Sequence, residues 1–277
     1  MTNDPILRLD CISKKFGGIT VVDGLSFAVQ RASRTALIGP NGAGKTSVFN
    51  LISGVFSPDS GRIFVGTRDI TDLASRARIR CGVARTFQNV RLMHHLSALE
   101  NVILGQHSRN RGWRGALQPV NLFAHNRWRE EARAGLADAG LSQYEDLAVG
   151  GLPYGVQRRI ELVRAVMAHP TLLLLDEPAA GLNAAETEDL QAHLLKMCMG
   201  GELTLLVVEH DMHFVGALCD AAVVLSFGRK IAEGSPDAIR ENPDVQDVYF
   251  GRPESPSESG SAPVNQEYSP CCLPRLI

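Results

Sequence analysis

The amino-acid sequence predicts an α/β fold built around a mostly parallel β-sheet, and three observations support this fold class. Short apolar runs alternate with helical patterns between Thr171 and Ser226, an order typical of parallel sheets covered by helices on both faces. A glycine-rich loop at residues 39–46 separates an apolar run from a helical pattern, and a leucine-rich run at 172–175 ends in two acidic residues. Because ligands bind at the carboxyl ends of strands in such sheets, the sequence predicts a functional site at that edge.

The N-terminal part of the chain favours β-structure. Residues 6–12, 21–29 and 61–65 alternate apolar and polar side chains, with turn residues between the runs. These runs predict a β-rich N-terminal layer. Residues 35–39 form a further short apolar run, and the pattern that follows predicts a helix over residues 45–53.

A helical region follows this layer. One helical pattern begins at Ser97, an alanine-rich pattern covers residues 130–139, and a third covers residues 153–168. The segment 107–129 between the first two is rich in Arg and Gly, and we interpret it as a solvated connection held in place by Trp113 and Trp128. A contact surface for a partner or for lipid headgroups is the alternative interpretation.

The second half of the chain supplies the alternating elements and then changes composition. Strands are expected at 171–176, 204–208 and 221–226, and helices at 184–199 and 212–219. After Gly251 the chain is rich in Pro, Ser and Glu, a composition that cannot bury enough apolar area to offset its ordering entropy. We therefore expect one domain over residues 1–251 and a disordered tail over 252–277.

Composition excludes several classes of protein. Among 277 residues, 28 Lys and Arg face 30 Asp and Glu, and the resulting net charge of -2 gives no support to nucleic-acid binding. The longest apolar runs, such as 203–208, fall far short of the ~20 residues that span a bilayer. Residues 1–10 contain no apolar core of a signal peptide, so we expect no export.

The six cysteines do not form a CxxC pair. The first four stand singly in apolar surroundings and are typical of core residues in a reduced cytosolic protein. Cys271 and Cys272 are adjacent in the predicted tail. We interpret them as an incidental pair, with a metal or redox site as the alternative.

The glycine-rich loop fits the pattern G-x-x-x-x-G-K-[ST]. Glycines let the backbone curl so that successive N–H groups point at phosphate oxygens, and the following helix adds its positive N-terminal end. Lys45 is expected to reach the β- and γ-phosphates, and Thr46 to supply a hydroxyl oxygen to Mg²⁺. The predicted nucleotide-binding residues of this loop are Gly39, Pro40, Asn41, Gly42, Ala43, Gly44, Lys45, Thr46 and Ser47.

The leucine-rich strand places two carboxylates at the same sheet edge. Asp176 is expected to hold Mg²⁺, through water, and Glu177 to polarise an attacking water molecule. Without the upstream loop, a surface turn would explain this pair equally well.

Further motifs occur around these two. They are Leu152-Pro153-Tyr154-Gly155-Val156-Gln157-Arg158-Arg159, Thr86-Phe87-Gln88-Asn89, Gly181-Leu182-Asn183 and Val208-Glu209-His210-Asp211. Together with the glycine-rich loop and the acidic pair, this set resembles the ATP-binding subunits of ABC transporters over about residues 6–251. The strings YGVQRRIELVRA, LDEPAAGLN, VVEHDM and GSPDAIRENPDVQDVYFG resemble more narrowly the ATPase subunits of branched-chain (hydrophobic) amino acid importers, in particular the longer of their two types.

The resemblance implies a P-loop NTPase core of ABC ATPase type, with an antiparallel β subdomain and a helical subdomain inserted at about residues 97–168. It also implies that two ATPase subunits close head-to-tail over two ATP molecules. The residues of one subunit that would cap the γ-phosphate held by the other are Leu152, Tyr154, Gly155, Val156 and Gln157.

The resemblance assigns roles to three further residues. Gln88 would sense the γ-phosphate or Mg²⁺ and link the core to the helical subdomain. His210 would contact the γ-phosphate and help to orient the water and Glu177. Phe16 would stack on adenine, where many relatives carry Tyr. The alternatives are a surface amide for Gln88, a satisfied polar residue for His210 and core filler for Phe16.

Two residues depart from the family pattern. Pro153 stands where many ABC proteins carry Ser, so a hydroxyl contact and a backbone N–H are lost, which puts the strength of phosphate capping in doubt. Asn183 replaces a common Asp. The importer subgroup also shows Asn there, so we do not interpret this change as a loss of activity.

The resemblance implies a peripheral ATPase on the cytoplasmic face of the inner membrane that drives amino acid import. Expected partners are a second ABC ATPase subunit, two membrane-spanning permease subunits and an extracytoplasmic solute-binding protein, with no nucleic acid. The second ATPase subunit is expected to be a shorter paralogue, and a homodimer stays open. Contact with the permease is expected near residues 88–97 and at the helical subdomain. Alternatives are transport of urea, short amides or other amino acids, a non-transport ABC ATPase acting on ribosomes or DNA, and a P-loop small-molecule kinase.

Overall fold

The computed structural model describes residues 4–88, 90–107 and 122–250. The predicted tail at 252–277, Asn89 and residues 108–121 of the predicted connection lie outside the described residues. The described part contains two β-sheets, and helices pack with them around three hydrophobic cores. No helix within the described residues has the length and apolarity needed to cross a bilayer.

The N-terminal sheet is antiparallel, with strand order β2-β1-β4-β5. Its strands are β1 (Leu7–Phe16), β2 (Ile19–Val29), β4 (Ser60–Val65) and β5 (Arg68–Asp69). The alternation noted in the sequence puts Leu7 and Leu9 of β1 into the core while Arg8 between them stays exposed. This sheet is the β-rich layer that the sequence predicts.

The central sheet has the order β10-β9-β3-β8-β7-β6, and every pairing except β9 with β10 is parallel. Its strands are β3 (Arg34–Ile38), β6 (Val83–Arg85), β7 (Leu172–Asp176), β8 (Thr204–Val208), β9 (Ala221–Ser226) and β10 (Arg229–Gly234). The predicted strands at 171–176, 204–208 and 221–226 are confirmed to within one residue.

The strand register places the residues of the predicted site at one edge of the central sheet. Val208 pairs with Leu37 of β3 on one side and with Asp176 of β7 on the other. The residues that follow these strands, Gly39, Glu177 and Glu209, therefore emerge side by side at the carboxyl edge, where a parallel sheet binds its ligands.

Helices and the N-terminal sheet cover the two faces of the central sheet. On one face lie α1 (Lys45–Ser53) and the antiparallel sheet; on the other lie α5 (Tyr154–Val166), α6 (Ala184–Cys198) and α7 (Met212–Leu218). The leucines of β7 show the two faces, because Leu172 and Leu174 join the first core and Leu173 and Leu175 join the second. A strand buried on both faces needs a continuous apolar run, which explains the leucine-rich segment.

A third hydrophobic core lies among helices of the region predicted to be helical. It joins α3 (Ala98–Gln106), α4 (Leu122–Asp138) and one face of α5. Gly105 lets α3 approach α5, since a Cβ there would collide with the carbonyl oxygen of Arg164. The extent of a helical subdomain over 97–168 stays a prediction.

The prediction of a solvated connection through residue 129 is wrong at its C-terminal end, because α4 begins at Leu122. The carbonyl oxygen of Trp128 accepts a hydrogen bond from Gln106, and the Trp128 ring lies edge-on to His107 at 5.7 Å. These two contacts hold the part of α4 that contains Trp128. The sequence around it is polar and shows no apolar periodicity that would have indicated a helix.

Several short elements were not predicted. They are β5, β6, β10, α2 (Ser75–Ile79), α8 (Pro236–Glu241) and α9 (Pro243–Phe250). Strand β10 lies at a sheet edge and exposes Arg229, Lys230 and Glu233. Such a strand lacks the apolar run that marks a buried one.

Candidate active site

The loop between β3 and α1 has a backbone that only glycine can adopt at two points. Gly39 has φ 149°, and a Cβ there would collide with the carbonyl oxygen of Leu225. Gly44 has φ 101°, and its Cβ would lie 2.7 Å from the carbonyl oxygen of Val21. Gly44 is also the N-cap of α1 and offers no side chain to the first N–H groups of the helix. The positive end of α1 is therefore open to an anion, as the predicted phosphate loop requires.

Lys45 lies inside the curve of this loop. Its side chain is buried, and Nζ donates to the carbonyl oxygens of Gly39 at 2.6 Å and Pro40 at 2.9 Å. Burial lowers the pKa of Lys45, and the carboxylates of Glu177 and Asp176 oppose that shift. The ammonium thus stands between the loop and the acidic pair.

A cavity of about 210 Å³ opens beside the loop. Its lining consists of Val21, Asn41, Gly42, Ala43, Gly44, Lys45, Thr46, Ser47 and Glu177. Most of the predicted loop residues therefore share one cavity with the proposed catalytic carboxylate. Gly39 and Pro40 contribute through the carbonyl oxygens that hold Lys45.

Glu177 follows β7 in a left-handed backbone conformation with φ 46°. A non-glycine residue in this region stores strain and persists only where its surroundings hold it. Its N–H donates to the carbonyl oxygen of Val208, and its Oε2 accepts a hydrogen bond from Nε2 of Gln88 at 2.9 Å. The structure therefore brings together two of the three predicted catalytic residues.

His210 follows β8 and is exposed. Within the described residues, no hydrogen bond to its ring is found. Its neighbour Glu209 is buried, and its two carboxylate oxygens accept the backbone N–H of Ala179 at 3.0 Å and of His210 at 3.3 Å. Burial raises the pKa of Glu209. Sequence reasoning gave Glu209 no role, yet it ties the segment after Glu177 to the segment that carries His210.

Asp176 is almost fully buried, and its Oδ2 pairs with Nη2 of Arg85 at 2.7 Å. In the described part of the chain, Oδ1 of Asp176 has no hydrogen-bond partner. Thr46 is exposed in the first turn of α1. Gln88, which follows β6 by three residues, is also exposed.

The side-chain oxygens of Thr46, Asp176 and Gln88 are suitable ligands for Mg²⁺. Mg²⁺ prefers oxygen ligands and is bound in phosphate-transfer sites by one or two protein groups together with substrate phosphates. A hydroxyl, a carboxylate and an amide oxygen meet that preference. No group of three or more His, Cys, Asp or Glu that could hold a metal occurs among the described residues.

Arg158 is a functional candidate that sequence reasoning missed. It is 3% exposed on α5, and its guanidinium donates to the carbonyl oxygens of Phe87, Asp176 and Glu177. It also pairs with Glu161 at 3.0 Å. One side chain thus joins three of the predicted motifs, and its place directly after Gln157 was the only signal for it.

Phe16 is 39% exposed at the end of β1, and its ring meets that of Phe56 edge-on at 5.1 Å. It does not line the cavity beside the phosphate loop. Its exposure disfavours the core-filler interpretation, and adenine stacking stays a prediction.

The segment Leu152–Gln157 begins α5 and does not line that cavity either. Pro153 is the N-cap, and Gln157 folds back so that its Nε2 donates to the carbonyl oxygen of Leu152. Val156 is buried in the helical core, whereas Tyr154 is 41% exposed.

Gly155 has a reason to be glycine within this chain. A Cβ on it would collide with Oε1 of Glu186. Glu186 belongs to a capping box in which Asn183 accepts the N–H of Glu186 and Glu186 accepts the N–H of Asn183, each at 3.0 Å. Asn183 is an effective helix N-cap, which gives this departure from the family pattern a structural role.

Comparisons with known proteins agree with this geometry. A sequence model of the ABC transporter family matches residues 22–180, and one described as branched-chain amino acid ATP-binding cassette transporter matches residues 229–255. The chain is 40% identical over 250 residues to the high-affinity branched-chain amino acid transport ATP-binding protein BraF of Pseudomonas aeruginosa, covering 89% of this chain and 98% of that one. It is 36% identical over 252 residues to LivG of Salmonella typhimurium, a protein of the same description, covering 90% and 99%.

Solved structures show the same architecture. A nucleotide-free ATP-binding cassette from an ABC transporter superposes with a TM-score of 0.77 at 30% identity, covering 89% of this chain and 99% of that one. The ADP conformation of an ATP-binding cassette of an ABC transporter gives the same TM-score, identity and coverage.

Proposed function

This chain belongs to the ABC transporter family of ATP-binding cassettes, and on that premise we propose that it powers the import of branched-chain amino acids. As a member of this family, the chain is an ATPase that works as a component of a transport system. The cargo is supported by the printed descriptions of the relatives and by the match at residues 229–255, which spans β10 to α9. Urea, short amides and other amino acids are the alternative substrates.

One observation carries the proposed chemistry: the phosphate loop and Glu177 line the same cavity. We propose that residues 39–47 bind the phosphates of ATP, with Lys45 neutralising their charge. Thr46, Asp176 and Gln88 would hold Mg²⁺, which when bound neutralises charge on the phosphates. Glu177 orients and deprotonates the attacking water, and Gln88 holds the Glu177 carboxylate in place through its 2.9 Å hydrogen bond.

The remaining predicted residues concern the contact between this chain, its nucleotide and a second ATPase subunit. Because Leu152–Gln157 does not line this chain's own cavity, we propose that it caps the γ-phosphate bound by a neighbouring ATPase subunit. Pro153 contributes no N–H to that contact, so the capping rests on the first N–H groups of α5. His210, exposed at the same sheet edge as Glu177, would contact the γ-phosphate, and Phe16 would stack on the base.

A surface beside the site suits a membrane partner. A cavity of about 130 Å³ is lined by Ser53, Val55, Ser75, Arg78, Ile79, Val83, Ala84, Arg85 and Phe87, next to the loop that carries Gln88. Val55 is 50% and Ile79 40% exposed there, which gives an apolar margin. We propose that a permease subunit docks on this cavity from the membrane, with this chain at the cytoplasmic face and a shorter ATPase paralogue beside it.

Reconstitution tests the cargo. The chain would be co-purified with its membrane subunits and solute-binding protein, placed in vesicles, and supplied with ATP and labelled leucine, glutamate or urea. We expect ATP-dependent leucine uptake that is lost in the Lys45→Ala variant. Uptake of urea or glutamate in place of leucine would overturn the cargo and leave the ATPase assignment intact.

A further inference from the structure

Arg85 is placed to act on the metal-binding carboxylate. It ends β6, three residues before Gln88, and its Nη2 lies 2.7 Å from Oδ2 of Asp176. The Arg85 side chain is 7% exposed and that of Asp176 is 5% exposed. In the described part of the chain, this is the only hydrogen bond that the Asp176 carboxylate receives.

The guanidinium is itself fixed on the opposite side. Its Nη1 donates to Oδ1 of Asn50 at 2.7 Å and to Oγ of Ser53 at 3.0 Å, and both residues belong to α1. The rings of Phe49 and Phe87 lie 5.6 and 5.1 Å from its central carbon. Among the described residues Nε has no acceptor, so the two Nη atoms set the position of the group.

This arrangement connects the two sides of the metal site. Helix α1 begins at Lys45 and Thr46, and Asp176 ends β7. A single planar guanidinium joins the C-terminal half of α1 to the Asp176 carboxylate. It therefore ties α1, whose first turn carries Thr46, to Asp176, and the proposed function assigns both of these residues to Mg²⁺.

We propose that Arg85 is a positioning residue that holds the Asp176 carboxylate and helix α1 in the geometry that Mg²⁺ requires. The inference rests on the proposed function, because that function assigns Asp176 to the metal. One carboxylate oxygen is fixed on Arg85, and the other is directed to the cation. Lysine cannot replace it, because one ammonium cannot hold Asp176, Asn50 and Ser53 in a plane between two aromatic rings.

Charge alone predicts the opposite effect. A guanidinium beside the site repels a divalent cation, so its removal would tighten metal binding if charge decided the outcome. Positioning predicts weaker binding after removal. The sign of the change therefore separates the two explanations.

The experiment measures Mn²⁺ binding by the loss of the free Mn²⁺ electron paramagnetic resonance signal, with ADP present, and ADP binding by calorimetry with EDTA present. We expect Arg85→Met and Arg85→Lys each to weaken Mn²⁺ binding at least tenfold and to change metal-free ADP affinity by less than threefold. Arg91→Met is the matched control, because Arg91 also stacks on Phe87, at 4.1 Å, and has no hydrogen bond to Asp176. Circular dichroism shows which variants fold, and Arg85→Lys carries the test if Arg85→Met does not.

Each outcome has one meaning. Mn²⁺ affinity that is unchanged or tighter in Arg85→Met, or fully kept in Arg85→Lys, would overturn the inference. Failure of the wild-type chain to bind Mn²⁺ with ADP, or wild-type binding by Asp176→Asn, would overturn the metal assignment itself.

Discussion

At the residue scale, both the backbone and the side chain of Glu177 are held in place by hydrogen bonds. It combines a left-handed backbone with hydrogen bonds that fix its N–H, its carbonyl oxygen and its carboxylate. The carboxylate is thus directed into the cavity of the phosphate loop before any substrate arrives. Such preorganisation is how a weak general base becomes effective.

Replacement of Glu177 by Gln should separate binding from turnover. The amide keeps the size of the side chain and cannot accept a proton. We expect ATP affinity within about threefold of wild type and an ATPase rate at least about a hundredfold lower. Steady-state phosphate release and nucleotide titration measure the two quantities. Glu188→Gln, an exposed change on α6, is the control, and near-normal hydrolysis by Glu177→Gln would remove Glu177 from its proposed role.

Glu209 predicts a pH-dependent stability. Burial raises its pKa above the ordinary value of 4.5, so the folded state binds the proton more tightly than the unfolded state does. The resulting stabilisation is full below the unfolded pKa and is lost as the pH rises through the folded pKa. Gln cannot ionise, so the free energy of unfolding of Glu209→Gln relative to wild type should increase as the pH rises above about 4.

Urea denaturation at a series of pH values tests this expectation. Glu188→Gln, an exposed change on α6, is measured alongside as the control for a Glu-to-Gln substitution at the surface. If the Glu209→Gln and wild-type curves run parallel over the same range, burial does not govern the titration of Glu209.

At the element scale, the two ends of helix α1 differ in how their backbone groups are satisfied. Its N-terminus is left open at Gly44, whereas Arg78 covers its C-terminus by donating to the carbonyl oxygens of Leu51 and Ile52. Arg78 is 1% exposed, and further bonds to the carbonyl oxygens of Leu73 and Thr71 satisfy the rest of its guanidinium. A buried cation at a helix C-terminus is favoured by the helix dipole.

Removal of this cap should weaken the fold more than the site. Arg78→Met leaves helix carbonyls buried without donors, and we expect a loss of about 2 kcal/mol in the free energy of unfolding. ATP affinity of the folded fraction should stay within about twofold, since the phosphate contact proposed for α1 lies at its other end. Chemical denaturation and nucleotide titration measure both, and a large loss of affinity without loss of stability would contradict this division.

Arg158 connects α5, β7 and the loop that carries Gln88. Arg158→Met removes a buried donor from several carbonyl oxygens, those of Asp176 and Glu177 among them, and from Oε2 of Glu161, so we expect a loss of about 3 kcal/mol in stability. The double variant Arg158→Met with Glu161→Met should lose less than the sum of the single changes, because the two side chains that each single change leaves without its partner are removed together. Additive losses in denaturation experiments would show that the pair is not coupled.

Sequence patterns predicted those elements whose burial is visible in composition. Strand β7 was predictable because a strand buried on both faces needs an apolar run, and the phosphate loop because its glycines meet backbone demands at Gly39 and Gly44. Arg85, Arg158 and Glu209 were not predictable, because their partners lie on other elements. Edge strand β10 and the first turns of α4 lack an apolar period in their sequences, so pattern alone did not predict them.

At the scale of the whole molecule, residues 152–157 at the start of α5 do not line the cavity beside the glycine-rich loop. Under the proposed function, a neighbouring ATPase subunit supplies that segment and completes the site. ATP would then join two ATPase subunits, and hydrolysis would release them, which supplies the motion passed to the membrane subunits. Arg158 gives a physical route from the capping helix to Glu177 and the loop that carries Gln88.

The structure of the assembled transporter with a nonhydrolysable ATP analogue and Mg²⁺ tests the central claim most directly. The account predicts the analogue's phosphates within hydrogen-bond distance of the backbone N–H groups of residues 41–46, and the Leu152–Gln157 segment of a neighbouring ATPase subunit against the γ-phosphate. A structure with no nucleotide in the loop, or with nucleotide that no second ATPase subunit reaches, would contradict it.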